Sequence, residues 1–210
     1  AVLTTSVNIM QMRIAQSRLA GDPPEVLISP RVADLSILDF HRGAEAIEAC
    51  LKFSRRFWQA SRTKYVAFTH SFHGRTMGAL SVTWDDHYRA PFAPLIPNVV
   101  FVDAQDPAAL AAAVDDTTAA VIVEPIQGEG GVRPISAAMA AAITAASTRT
   151  GALLIADEIQ CGSGRTGTFT YSATLGLKPD LMALAKAMGA GVPIGAAMFS
   201  NKVAAAAAPG

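Results

Sequence analysis

The sequence predicts an α/β fold with a mostly parallel sheet flanked by helices. Three short apolar runs carry that expectation: Val99 to Val102, Ala119 to Val123 and Ala152 to Ala156. Each is rich in β-branched or aliphatic residues, with no polar alternation, as expected of strands covered on both faces. Ala-rich segments of helical length, Pro107 to Val114 and Ser136 to Thr148, lie between them. Strands alternating with helices point to parallel pairing through crossover connections.

From the N-terminus, Val2 to Leu19 suggests a helix that ends at the Gly21-Asp22-Pro23-Pro24 break. Ala44 to Gln59 places Ile47, Cys50, Leu51, Phe57 and Trp58 at helical spacing and predicts an amphipathic helix. Lys64 to Thr69 predicts a short strand, followed by a Gly-containing turn at His73-Gly74-Arg75. Ala204 to Ala208 is a low-complexity run with helical propensity.

Composition narrows the function. The 210 residues suit one domain or a small pair, and 17 Lys+Arg balance 17 Asp+Glu. A neutral balance lacks the basic excess of a nucleic-acid binder and the polybasic stretch of a membrane anchor. No uncharged run reaches the ~18 residues of a membrane span. Hydrophobic residues make up 51% and charged residues 16%, against about 25% charged in an average domain. Such a chain buries a large core and suits an apolar subunit interface. Cys50 and Cys161 lie far apart, which gives no metal-ligand spacing and no disulfide framework. A reducing, cytoplasmic setting is the expectation.

The chemistry-bearing residues sit at strand ends. Ala119 to Val123 runs into Glu124-Pro125-Ile126-Gln127-Gly128-Glu129-Gly130-Gly131, and Ala152 to Ala156 runs into Asp157-Glu158-Ile159-Gln160. Ligands of open α/β sheets bind beyond the carboxyl ends of the strands. Acids there are placed at a site, or they cap the following helix. Lys186 has no charged neighbour within Leu181 to Ala185 or Ala187 to Gly191. It is either a surface amine snorkelling from an apolar strand or a desolvated amine suited to Schiff-base chemistry. Gly128-Glu129-Gly130-Gly131 carries neither a Walker lysine nor G-x-G-x-x-G spacing, so a nucleotide fold is poorly supported.

Four blocks together resemble the class III (subgroup II) pyridoxal-phosphate aminotransferases, and most closely the acetylornithine/ornithine group. They are Ser71-Phe72-His73-Gly74-Arg75-Thr76, the Glu124 to Gly131 segment with Val123, and Asp157-Glu158-Ile159-Gln160 with Gly164-Arg165-Thr166-Gly167. The last is Ala185-Lys186 with Pro193-Ile194-Gly195. They occur in the family's order and spacing over roughly residues 43–203. The resemblance implies a fold-type I large domain, with pyridoxal 5'-phosphate as cofactor.

It implies that Lys186 is the amine that condenses with the cofactor's aldehyde and moves the substrate proton. Asp157 would hold the ring nitrogen protonated, and Gln160 would reach the phenolic oxygen. Ile159 would cover one ring face and Phe72 the other, with His73 beside them, although Phe72 also suits ordinary core packing. Gly43 and Ala44 would offer backbone N–H groups to the phosphate at a helix N-terminus. Arg75 would hold a substrate carboxylate, unless it is simply a surface arginine. Glu124 would organise the site, and Glu129 would mask a second, C-terminal arginine.

The match departs in places. Arg42 stands where the family places a serine, Cys161 where threonine or serine is common, and residues 1–40 match poorly. The expected division is therefore residues 1–40, then a cofactor-binding large domain over 41–210, with the C-terminal small domain absent. The expected activity is transfer of an amino group from an acetylornithine-like or other ω-amino donor to 2-oxoglutarate by a homodimer. The alternatives are a truncated, impaired cofactor-binding fragment or scaffold, and a decarboxylase or aminomutase of the same class.

Overall fold

The computed structural model describes residues 42–206. The helix expected over Val2 to Leu19 lies outside the described residues.

A six-stranded sheet forms the centre. Its strands are β1 (Lys64–Phe68), β2 (Val99–Val102), β3 (Thr118–Val123), β6 (Leu153–Asp157), β7 (Leu181–Leu184) and β8 (Ala196–Phe199), in the spatial order β2-β1-β3-β6-β7-β8. All pairings are parallel except β7 with β8. A two-stranded ribbon, β4 (Ile126–Gln127) with β5 (Arg133–Pro134), stands apart.

The expected strands form with small shifts, but β2 is not covered on both faces as expected: it lies at the sheet edge, with Val100 exposed and only Val102 fully buried. Asp157 is the last residue of β6 while Ala152 lies outside it, so the acid ends the strand instead of following it. The hairpin-like return through β8 had no clear sequence signal, because an edge strand of Ala and Met carries no alternation that separates it from a loop.

Side-chain alternation divides each central strand between two cores. Tyr65, Ala67, Ala120, Ile122, Leu153, Ile155, Leu181 and Ala183 face one side. Val66, Phe68, Val121, Val123 and Leu154 face the other. Every residue of β3 and β6 is buried, which is why these runs read as continuously apolar.

The first core is covered by α1 (Gly43–Trp58) through Ala46, Ile47, Cys50 and Leu51, with α2 (Met77–Val82) and Val203 of α7 (Asn201–Ala206) beside it. The second is covered by α4 (Pro107–Ala113) through Leu110 and by α5 (Ala137–Thr150) through Met139, Ala140, Ile143 and Ala146. Truncating a fully buried aliphatic such as Ile122 or Ile143 to Ala would cost about 2–5 kcal/mol.

Helix ends follow local chemistry. Asp106 caps α4 by accepting from the N–H groups of Ala108 and Ala109, with Pro107 at the first helical position. Ser136 caps α5, which stops at Gly151 in the left-handed region (φ 75). α5 thus continues past the expected Thr148 because the glycine, not Thr148, supplies the stop. Ala204 to Ala206 of the Ala-rich run belong to α7, which starts at Asn201, three residues before that run; the rest of the run lies outside the described residues. Two short helices, α3 (Asp86–Arg89) and α6 (Tyr171–Thr174), are the remaining α-helices among the described residues. Among the described residues, no helix is long and apolar enough to cross a membrane.

Candidate active site

Four adjacent parallel strands, β1, β3, β6 and β7, end at the same edge of the sheet, and the loops beyond them carry most of the sequence-derived residues. β1 leads into Phe72, His73 and Arg75. β3 leads into Glu124 and Glu129, β6 ends in Asp157 with Ile159 and Gln160 beyond it, and β7 leads into Lys186. Asp157 pairs in register with Ala183, and Lys186 follows just past the end of that neighbouring strand.

Asp157 is 4% exposed. Its Oδ2 lies 2.7 Å from His73 Nδ1, and its Oδ1 accepts from the Ile159 N–H at 3.1 Å. A carboxylate is costly to bury unless paired and hydrogen-bonded, and these two contacts supply that. The His73 side chain is fully buried, and its Nε2 has no hydrogen-bond partner among the described residues. His73 is fixed through its backbone as well, its N–H donating to Thr83 Oγ1 at 2.9 Å.

Glu124 ties two loops together. Its Oε1 accepts from the Phe72 N–H at 2.8 Å and its Oε2 from the Gly128 N–H at 3.1 Å. Burial pushes its carboxyl up to about 7. His73 and the two backbone donors oppose that rise, and the neighbouring Asp157 charge adds to it.

Glycines allow the close approaches. A Cβ on Gly128 would fall 1.0 Å from Gln160 Oε1, so the Gln160 amide lies directly on the Gly128 backbone. A Cβ on Gly43 would fall 2.8 Å from Ile159 Cδ1. Gly74, at φ +129, would place one 2.5 Å from Ala44 Cβ. The first turn of α1, the Phe72–Arg75 loop, the Gly128 turn and the segment after β6 are thereby in mutual contact.

Arg75 and Glu129 are exposed, while Phe72, Ala44, Ile159, Gln160 and Lys186 are half-buried. Phe72 meets Tyr88 edge-on, and the Arg75 guanidinium carbon lies 5.2 Å from the Tyr88 ring centre. Lys186 adopts φ 48, an uncommon conformation for a non-glycine residue and one that clusters at functional sites.

Other polar side chains near this edge make buried or capping contacts. Glu158 is fully buried. It accepts from Ser172 and Tyr171 N–H at 2.6 and 3.0 Å, and from the Cys161 thiol at 3.0 Å. Glu158 lies just past the end of β6 and points away from Asp157 toward the Tyr171–Ser172 backbone and Cys161. Glu48 Oε1 accepts from Gly78 and Ala79 N–H at the start of α2. Gln127 donates its side-chain N–H to Thr69 O at 2.8 Å. Neither residue had a spacing that marked it.

The donor set and the glycine-lined approaches fit a flat, charged aromatic cofactor. A buried anion stands at one strand end, an amine stands at the next, and apolar side chains lie between a helix N-terminus and the sheet edge. Arg42, where a serine would be expected, is exposed at the start of α1 and makes no side-chain cap.

The acetylornithine aminotransferase of Archaeoglobus fulgidus is 45% identical over 192 residues, covering 90% of this chain and 51% of that protein. Ornithine aminotransferase from Toxoplasma gondii superposes with a TM-score of 0.74 at 34% identity, covering 80% of this chain and 42% of that one. An amine transaminase from an uncultivated Pseudomonas species, solved in its PLP-bound form, gives 0.72 at 30% identity, covering 87% of this chain and 50% of that one. The chain spans about half the length of the curated relatives it matches. The class-III aminotransferase family matches residues 4–210, reaching further toward the N-terminus than the motif blocks do. With the fold, the strand-end constellation and the sequence match in agreement, this chain belongs to the class-III aminotransferase family.

Proposed function

We propose that the protein is a pyridoxal-phosphate-dependent aminotransferase that moves an amino group from an acetylornithine-like or other ω-amino donor to 2-oxoglutarate, with residues 41–210 forming its cofactor-binding large domain. The observation that carries the reading is the placement of Asp157 and Lys186 at the ends of adjacent parallel strands, in a chain 45% identical to an acetylornithine aminotransferase. Pyridoxal phosphate, when bound, supplies the electron sink that makes the C–H bond beside the substrate nitrogen acidic.

The chain's own residues hold, orient and move the proton. Asp157 keeps a proton at the ring nitrogen by placing an anion against it, and His73 fixes the rotamer of Asp157 from behind. Gln160, seated on Gly128, donates to the phenolic oxygen. Ile159 and Phe72 cover the two ring faces and keep water from them. Gly43 and Ala44 offer N–H groups to the phosphate at the N-terminus of α1. The Lys186 Nζ would hold the cofactor and, once freed, would be the base that takes and returns the substrate proton. Arg75 takes a substrate carboxylate through its in-plane N–H groups. Glu124 holds the Phe72 loop against the Gly128 turn, and Glu129 is the anion available to a second cationic group. The exposed apolar side chains of Met188, Val192 and Ile194, next to Lys186, support a homodimer that closes over this edge. A cytoplasmic location belongs to the same proposal.

The test is chemical. The chain is incubated with pyridoxal phosphate, reduced with borohydride and digested. The peptide carrying Lys186 should gain the mass of the reduced cofactor. Label at Lys178 or Lys64 with none at Lys186 would overturn the assignment.

A further inference from the structure

We infer that Tyr88 is a positioning residue that sets the direction of the carboxylate-binding Arg75 and couples it to Phe72. The inference rests on the carboxylate role proposed for Arg75. Tyr88 is half-buried on the short helix α3. The Arg75 guanidinium carbon stands 5.2 Å from its ring centre. The Phe72 ring meets the same ring at 5.5 Å and 68°. One side chain therefore touches both the ring-covering group and the carboxylate-binding group.

A guanidinium resting on an aromatic ring engages it through its flat face, and its in-plane N–H fork stays free for a bidentate carboxylate. The contact thus restrains the long Arg75 side chain without consuming its donors. Arg75 is exposed, and an unrestrained exposed arginine would lose rotamer freedom each time it bound a ligand.

Tyr88 is itself held from several directions. The Asp85 side chain accepts from His87 N–H at 2.9 Å and starts α3. Arg89, the next residue, packs its guanidinium 4.8 Å from the Phe101 ring centre on β2. It also pairs with Asp86 at 3.2 Å. Upstream, Trp84 N–H donates to Ser71 O at 3.0 Å and its ring packs on His70. These anchors do not use the Tyr88 ring, so the helix stays in place when the ring is removed.

The experiment uses the 210-residue chain and needs no turnover. Phenylglyoxal modifies accessible guanidinium groups, and peptide mass spectrometry reads Arg75 specifically. Glutarate, a dicarboxylate without an oxo group, serves as the protecting ligand. In Tyr88→Leu the glutarate concentration that halves Arg75 modification should rise about threefold to fivefold. In Tyr88→Phe, which keeps the ring, it should stay at the parent value. Protection of the Leu variant at the parent concentration would overturn the inference. So would a Phe variant that behaves like Leu, because the ring would then not be the agent. If glutarate fails to protect Arg75 in the parent chain, the carboxylate role of Arg75 itself falls and this inference with it. Borohydride labelling at Lys186 reads the cofactor proposal independently of all these outcomes.

Discussion

Glu124 makes the stability of this fold depend on pH in an unusual direction. Its carboxyl has an ordinary value of 4.5 and rises to about 7 in the folded chain, first through burial. Between those values the folded state binds more protons than the unfolded state, so stability falls as pH rises. Below about 4.5 the group is neutral in both states and contributes no penalty. Above about 7 the full penalty is present. A shift of this size corresponds to about 3 kcal/mol across the window.

Glu124→Gln removes the titration. It also replaces one acceptor oxygen with an amide nitrogen, so the Phe72 N–H and the Gly128 N–H can no longer both be satisfied. Leaving one buried donor unpaired costs about 1–3 kcal/mol. The parent should therefore be more stable than the Gln variant near pH 4.5, and the difference should shrink or reverse by pH 8. Urea unfolding of both chains without added cofactor, at half-unit steps from pH 4.5 to 8, measures this. Comparing the two cancels the groups that titrate alike in both. A difference that stays constant over the range would refute the assignment of a raised carboxyl to Glu124.

Further outcomes follow from the same geometry. Gly74→Ala combines a backbone at φ +129 with a Cβ 2.5 Å from Ala44 Cβ. It should lower urea-unfolding stability by about 2–5 kcal/mol, and a loss below about 0.5 kcal/mol would show that the loop relaxes freely. Asp157→Asn keeps the shape and removes the charge. Absorbance titration with pyridoxal phosphate should show affinity weakened about tenfold and any amino-transfer half-reaction slowed by orders of magnitude, whereas a fully active Asn variant would reduce Asp157 to a structural acid. Burial raises the thiols of Cys50 and Cys161, with the carboxylate of Glu158 adding to the rise at Cys161. Both should react slowly with Ellman's reagent at pH 8 in the native chain and rapidly in guanidinium. Immediate reaction of either in the native chain would contradict that burial.

Much of this architecture was legible because burial on both sheet faces leaves an unmistakable pattern. β3 and β6 are buried throughout, and β3 differs from the apolar run only by including Thr118; Val99 to Val102 forms a strand with the suggested bounds, but at the sheet edge with only Val102 fully buried. The strand-end acids stood out for the same reason, since a charge next to a fully apolar run is expensive unless placed at an edge. Short elements were not legible. α2 is a six-residue helix whose first N–H groups are satisfied by Glu48, a residue far away in sequence, and local propensity cannot register such a cap. The His73–Asp157 contact joins residues 84 positions apart, and nothing in either segment encodes the other. Adjacent letters also hid opposite fates. Asp157 faces the strand-end constellation, while Glu158 turns to hold the start of α6 and the Cys161 thiol. The left-handed backbone at Lys186 had no sequence marker either, since glycine, not lysine, is the usual sign of such a position.

The strand order β2-β1-β3-β6-β7-β8 also makes the sheet a record of its own synthesis. After β1 and β2 pair, every later strand of this sheet adds to one growing edge in the order in which the ribosome delivers it. No strand must insert between two that have already paired, a step that would demand reopening buried hydrogen bonds. Assembly can therefore proceed vectorially from the N-terminal side, with each arriving strand roofing the last. Lys186 follows β7, so it arrives after β1, β3 and β6, which lead into Phe72, Glu124 and Asp157, are already available to pair. α1 packs against Leu181 and Ala183 of β7, so the earliest helix of the described chain finds its full seat only when one of the last strands has docked.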